Sequence, residues 1–457
     1  MTTRQTEARP QAVPDKAKRI GETDARWAWV ERSVWTDRML HALERGVEGG
    51  RWYCLIDKVC RMETLRAAWA RVQANRGAAG VDHETVTAFG RRIEENLTKL
   101  HEDLRTGRYR PSAVRRVRIP KPGKPGETRP LGIPTIRDRV VQSALRSVLE
   151  PIFEVGFAER SYGFRPRRGA KDALRRVRQL IDAGNAHVVD ADLKSYFDTI
   201  DHDNLLALLR RRVTDGKVLA LVEGFLTAGI LEDKVERTPG EGTPQGGVIS
   251  PLLANIYLDP LDHLVAGRGW EMVRYADDFV ILCPTAEGAQ QALTVVQEWA
   301  ASVALTLHPE KTRLVSLEEE GSNFDFLGYR FWRNRHNVAP KAKQRMRERI
   351  RELTPRSSGY SLDTIIKRLN ATLRGWFEYF KHGAKSAMRE IDERVRTRLR
   401  AILWKRHKRP GYPGPSAKFR WTNTYFTGLG LLSLKAARET IVAARHAGKP
   451  PTGEPCA

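Results

Sequence analysis

Asp277 and Asp278 stand side by side in EMVRYADDFVIL (271–282), a stretch that otherwise has the composition of a buried strand. Adjacent like charges are unfavourable in a low-dielectric setting, so the pair is either a solvated turn or the seat of something positive. In a regular strand neighbouring side chains face opposite ways; at the tip of a tight hairpin two carboxylates can splay toward one edge. A second acidic cluster, Asp190, Asp192 and Asp198, lies in VVDADLKSYFD. Asp190 and Asp192 share a strand face, with Asp192 at the C-terminal end. Carboxylates converging from two separate strands are what hard divalent cations require. Two such ions about 3.5–4 Å apart can activate a 3′-hydroxyl and neutralise a leaving pyrophosphate in an in-line phosphoryl displacement.

The elements that must hold these groups follow from hydrophobic periodicity. AHVVDADL (186–193) reads as a buried strand, followed by a helix starting at Asp201–Asn204. EMVRYADDFVILC reads as two short strands about a turn, and GAQQALTVVQEWAASVAL as a helix. LTLHPEKTRLV and FDFLGYRFW read as further strands, and GTPQGGVISPLLANIYLDPL as a Gly/Pro loop feeding a helix. Upstream, 24–106 is helical with a break at NRGAAGVD (75–82), and 217–230 is helical. VRRVRIP (114–120) alternates like a strand with a cationic face, and KPGKPGETRP is a turn or hairpin loop. IRDRVVQSALRSVLEPIF is a helix predicted to end near Pro151. Past 336 the pattern becomes basic helices. SLDTIIKRLNATLRGWFEYFKHG aligns Ile365, Ile366, Leu369, Leu373, Trp376, Phe377 and Phe380 on one face, with Ser361 as N-cap and Gly383 as the stop.

The bulk numbers narrow the partners. Against 55 Asp+Glu stand 79 Lys+Arg in 457 residues, a net charge of +24, more than solubility needs and suited to a polyanion. The length suits two or three folded units. Cys54, Cys60, Cys283 and Cys456 form no CxxC pair or Cys/His cluster, which argues against a disulfide framework or zinc site and fits a reducing compartment. No apolar run reaches membrane-helix length and no signal peptide is visible, so a cytoplasmic protein without membrane contact is expected.

Together the motifs carry a resemblance. RYADDFVIL resembles the YxDD box of reverse transcriptases, and VVDADLKSYFDTIDHDNL their first aspartate motif. RIPKPGKPGETRPLGIPTIRDRVVQ, SYGFRPRRGAKDAL and GTPQGGVISPLLANIYLDPLD match in the same order. NRGAAGVD, HPEKT, FDFLGYRF and LRGWFEYF are similar to hallmarks of bacterial group II intron proteins. The likeness runs from about 53 to about 430. It implies a mixed α/β (α+β) right hand: fingers and an antiparallel palm over 23–335, then an all-helical thumb/maturase domain over 336–440. Residues 1–22 are expected to be a flexible arm and 441–457 a flexible tail.

The resemblance also implies roles. Asp192 and Asp277 become the principal Mg²⁺ ligands and Asp278 the supporting carboxylate, with Leu193 in the metal set. Two Mg²⁺ ions, with Mn²⁺ as an alternative, act on dNTP substrates. Lys121 and Arg129 face the triphosphate, Gln245 and Gly246 the nucleotide and templating base, and Lys311 the leaving group. Phe197 is expected at the sugar, excluding a 2′-hydroxyl, with Tyr196 as the alternative. Arg165 and Arg168 are placed along the template–primer backbone, and Lys341, Lys343 and Arg374 on RNA. Trp376, Phe377, Tyr379 and Phe380 are read as core rather than as a stacking platform. Asp190 and Asp198 are read as solvated or capping.

The function implied is an RNA-directed DNA polymerase that also binds group II intron RNA as a maturase and supports intron mobility. Its partners would be intron RNA, an RNA/DNA or DNA primer–template and target DNA, with a homodimer left open. Two other readings stay open: a splicing-only RNA-binding protein, and a domesticated relative serving repair or phage defence. The HNH endonuclease of larger family members has no counterpart cysteines or histidines here, so no DNA cleavage by this chain is expected.

Overall fold

The computed structural model describes residues 26–46, 50–120, 126–232, 235–237, 241–243 and 246–446. The expected arm over 1–22 lies outside them. Helices of nine residues or more are numbered here. α1 (Asp37–Arg45), α2 (Met62–Asn75) and α3 (Ile93–Arg105) precede the hairpin β1 (Val114–Pro120) and β2 (Thr128–Ile133). α4 (Ile136–Glu154) and α5 (Ala170–Asp182) lead to β3 (His187–Asp192). After α6 (His202–Arg210) and α7 (Gly216–Leu226) come β4 (Ile230–Glu232), β5 (Val235–Arg237) and α8 (Ser250–Gly267). Then follow β6 (Glu271–Tyr275), β7 (Asp278–Cys283), α9 (Ala286–Ser302), β8 (Arg313–Ser316), β9 (Phe324–Phe326), β10 (Tyr329–Phe331) and β11 (His336–Val338). The chain closes with α10 (Pro340–Leu353), α11 (Leu362–Phe380), α12 (Lys385–Arg406) and α13 (Leu434–His446).

The central sheet has the order β6-β7-β3-β8, every pairing antiparallel. Its pleat sends alternate side chains to opposite faces, and each face builds a different core. Val189, Ala191, Met272, Phe279, Ile281 and Cys283 join the core of α2, α4 and α6–α9. Val188, Val273, Val280 and Leu282 join a second core with α5, β9–β11 and α10–α12. The sheet is thus a shared wall between the mixed α/β part and the C-terminal helices.

Two predicted ends shift. α4 runs through Pro151 to Glu154. Pro151 cannot donate to the carbonyl four residues earlier, and that carbonyl, of Ser147, accepts the Trp35 indole N–H at 3.0 Å instead. α13 continues to His446, so 441–446 is helix rather than tail; the remainder of that tail lies outside the described residues. Elsewhere the signals hold: Asp201 Oδ1 accepts from Asn204 N at 2.7 Å and Ser361 Oγ from Thr364 N at 3.1 Å, capping α6 and α11. Among the described residues no helix is long and apolar enough to cross a membrane.

Candidate active site

β6 and β7 are joined by a two-residue turn, Ala276–Asp277, across which Tyr275 pairs with Asp278. Ala276 has φ +61° while Asp277 does not enter the positive region, the pattern of a primed hairpin turn that normally takes glycine first. The two aspartates are therefore unequal by position. Asp277 is at the tip, whereas Asp278 opens β7 and sits directly opposite Asp192 of β3. Directly opposed residues share a sheet face. The alternation that sends Val188, Val280 and Leu282 toward the C-terminal helices aims Asp190, Asp192 and Asp278 the same way.

The carboxylates crowd one another in a largely buried setting. Burial first, then the carboxylates of Asp190, Asp192 and Asp277, push Asp278 up to about 7. Asp277 is raised by burial and by Asp192. Lys311 Nζ pairs with Asp192 Oδ2. That lysine is brought over the strand end by the HPEKT turn: His308 N donates to the Asp192 carbonyl at 2.8 Å, and Lys311 N to the His308 carbonyl at 3.1 Å. Asp190 is paired with Arg313 at 3.0 Å across β3 and β8, so it is an ion-pair residue rather than a cap. Asp198 is exposed on the turn after β3. Among the described residues no three Asp, Glu, His or Cys side chains close to metal-ligand distance. The donor chemistry nonetheless suits a hard divalent cation: oxygen ligands from two strands, with the Asp278 carboxyl raised to about 7 by burial and by its neighbouring carboxylates.

Beside the carboxylates runs a groove of about 730 Å³ between the sheet and the C-terminal helices, lined by Asp278, Lys341, Arg345, Arg349, Trp376 and Tyr379 among others. Tyr196 is fully buried, its hydroxyl donating to the Ala254 carbonyl at 2.6 Å, while Phe197 is only partly covered. Gly246 has φ +113°, and a Cβ there would lie 2.2 Å from the Gly132 carbonyl oxygen, so the loop leading into α8 packs on β2 as only glycine allows.

These features have matching relatives. A family profile described as "Reverse transcriptase (RNA-dependent DNA polymerase)" matches residues 119–331. A second, "Group II intron, maturase-specific domain", matches 343–421. The chain is 34% identical over 325 residues to Protein YkfC of Escherichia coli (strain K12), covering 62% of this chain and 83% of that relative. It belongs to the group II intron-type reverse transcriptases. RNA-directed DNA polymerase activity and a maturase role come with that family, as do divalent metal ions and nucleic-acid partners, RNA among them. The reverse transcriptase is also 40% identical over 207 residues to the group II intron-encoded protein LtrA of Lactococcus lactis subsp. cremoris, covering 45% of this chain and 34% of LtrA. It thus spans about a third of LtrA's length. A partial Cas6-RT-Cas1–Cas2 complex aligns at 24% identity and TM-score 0.35, over 54% of this chain and 42% of that one.

Not every expected residue reaches the site. Arg165 is buried: its guanidinium pairs with Glu154 and donates to the Ala158 and Ser161 carbonyls, so it braces the fold and cannot grip a nucleic-acid backbone. Arg168 is half-buried, donating to the Glu159 carbonyl beside the Tyr162 ring. Lys343 is occupied by an ion pair with Glu390, which Arg347 also contacts. Lys341 and Arg374 are exposed. Arg129 is exposed on β2 opposite Ile119, and Leu193 is buried in a bridge to Leu307. Lys121 and Gln245 lie outside the described residues. Phe377 and Phe380 are core as expected. Trp376 and Tyr379 are only partly buried: they pack against the second core and also line the groove.

Sequence reading missed the group behind the turn. Arg274, the penultimate residue of β6, is 1% exposed and ion-paired with Asp262 of α8, with Asn255 alongside. The signal was present: an arginine inside an apolar strand needs a buried partner.

Proposed function

We propose that this reverse transcriptase extends a primer on an RNA template at the Asp192–Asp277–Asp278 cluster, using Mg²⁺. When bound, a pair of such ions would lower the pKa of the attacking 3′-hydroxyl and offset charge on the leaving pyrophosphate. The chain's own residues supply the frame. Asp192 and Asp278 present carboxylates from facing strand positions, and Asp277 adds a third from the turn. Lys311, paired with Asp192, is suited to donate a proton to the departing pyrophosphate. Phe197, the more open of the two rings after β3, is suited to bear on the sugar. The exposed Lys341 and Arg345 give the groove wall a cationic edge for the growing duplex.

The observation that carries this reading is the antiparallel register opposing Asp192 to Asp278 beside a basic groove. We assign fingers and palm to 23–335 and the thumb/maturase part to 336–440. Group II intron RNA is both the splicing substrate bound and the template copied, in support of mobility at target DNA. The test is dNTP incorporation on poly(rA)/oligo(dT) with Mg²⁺, beside intron splicing at low Mg²⁺. Asp277→Ala should lose cDNA synthesis and keep splicing. Absence of incorporation by the folded wild type would sink the polymerase assignment.

A further inference from the structure

We infer that Arg274 and Asn255 are positioning residues that set the Ala276–Asp277 turn from behind the sheet. The inference rests on the catalytic reading of Asp277. Residues alternate along β6: Met272 belongs to the core under α8 and Val273 to the opposite one. Arg274 follows Met272 in parity, so its side chain leaves the sheet on the side away from Asp192 and Asp278. It touches none of the reacting groups. It reaches the turn by its own fork.

Arg274 Nε and Nη2 hold both oxygens of Asp262, while Nη1 donates to Asn255 Oδ1 at 3.0 Å and to the Ala276 carbonyl at 2.9 Å. The Asp262 pair thus fixes the guanidinium plane, and the plane fixes the turn carbonyl. Asn255, also 1% exposed, uses both ends of its amide: Oδ1 accepts from Arg274 and Nδ2 donates to the Gly163 carbonyl at 2.9 Å. Gly163 closes the ring. A Cβ there would lie 2.2 Å from Ala276 N, so its backbone presses directly on the turn. Tyr162 N donates to the Arg274 carbonyl at 2.9 Å and Arg274 N to the Arg160 carbonyl at 3.1 Å, pinning the same segment to β6.

Ala276 holds a positive φ that a non-glycine residue adopts only when its surroundings over-determine it. The Arg274 fork and the Gly163 backbone are those surroundings. The residue just before Asn255 on α8, Ala254, accepts the Tyr196 hydroxyl at its carbonyl. One helical turn of α8 therefore references the segment after Asp192 and the turn bearing Asp277 to each other. A lysine at 274 could keep charge near Asp262, but one ammonium cannot span Asp262, Asn255 and the turn carbonyl as a planar fork does.

The experiment uses the full chain carrying Arg274→Lys or Asn255→Ala. Arg400→Lys is the control: Arg400 is another buried arginine, bonded to the Trp421 carbonyl and Asn423 far along the chain. Single-nucleotide extension gives kcat and dNTP KM, anisotropy gives primer–template Kd, and hydrogen exchange follows the 271–283 peptide without metal. Both site variants should lose on the order of 10²-fold in kcat, as for a misplacement of about 1 Å. KM and Kd should stay within about 3-fold, and the hairpin amides should exchange faster. Arg400→Lys should change neither kcat nor that exchange. If Arg274→Lys does not fold, Asn255→Ala decides alone. Folded variants that keep wild-type kcat, or lose only thermal stability or Kd, overturn the positioning role while polymerase activity stands. A wild type that does not extend primers refutes the catalytic reading, and this inference with it.

Discussion

The strand β6 that leads into the Asp277 turn and the helix α10 both carry cations near the same carboxylates, and they use them in opposite ways. Arg274 is sealed under the sheet, with every nitrogen of its guanidinium bonded to protein. Lys341 and Arg345 stand exposed on the groove wall, and neither makes a side-chain hydrogen bond or ion pair among the described residues. A buried cation must be matched by protein groups or the fold loses stability; an exposed one costs little and remains available to phosphate. Burial therefore separates a cation that is spent on the fold from those left exposed in the groove. Arg165 shows the cost of ignoring this, since by sequence it looked like its neighbours in SYGFRPRRG.

The comparison can be broken in several places. The largest effect belongs to the carboxylates: Asp192→Asn or Asp277→Ala should cut incorporation by roughly 10³-fold or more, because the metal-borne stabilisation is worth several kcal/mol. Chelation of divalent cations should do the same to the wild type, and primer extension reads both. Next comes Arg274→Met, which strands Asp262 in the core and should cost about 3–5 kcal/mol by urea unfolding. Adding Asp262→Leu should recover most of that stability; if it does not, the ion pair is not what the fold depends on. Gly163→Ala places a methyl against the turn backbone, an overpacking worth about 1–3 kcal/mol, and should reduce extension with RNA binding retained.

On the exposed side effects shrink and change character. Lys341→Ala and Arg345→Ala should each weaken primer–template binding about equally across sequences and lower the salt slope by about 1. Unchanged slopes would remove these two from the substrate path. Lys367→Ala, in an exposed pair with Asp363, should move the unfolding free energy by less than about 0.5 kcal/mol.

Much of the fold was legible because periodicity is local. The β6–β7 hairpin, β3 and the buried face of α11 follow from spacing alone. Where local rules failed, a distant group had intervened. Pro151 does not end α4, since Trp35, more than a hundred residues away, takes the freed carbonyl. In the aromatic run of α11, Phe377 and Phe380 are buried while Trp376 and Tyr379 stay partly exposed, a division that the helical wheel did not contain.

For the site, residue identity and order along the chain were enough to single out Asp192, Asp277 and Asp278 as candidates, to point to a polyanionic partner and to indicate the family, because chemistry restricts which side chains can hold a cation or a phosphate. Tertiary structure alone decided that Asp278 is the residue opposed to Asp192, that Arg165 and Lys343 are spent on carboxylates, and that Arg274 reaches the turn through Asn255 and Asp262. Register, burial and the match of a buried charge arise between segments, and adjacency in sequence does not encode them.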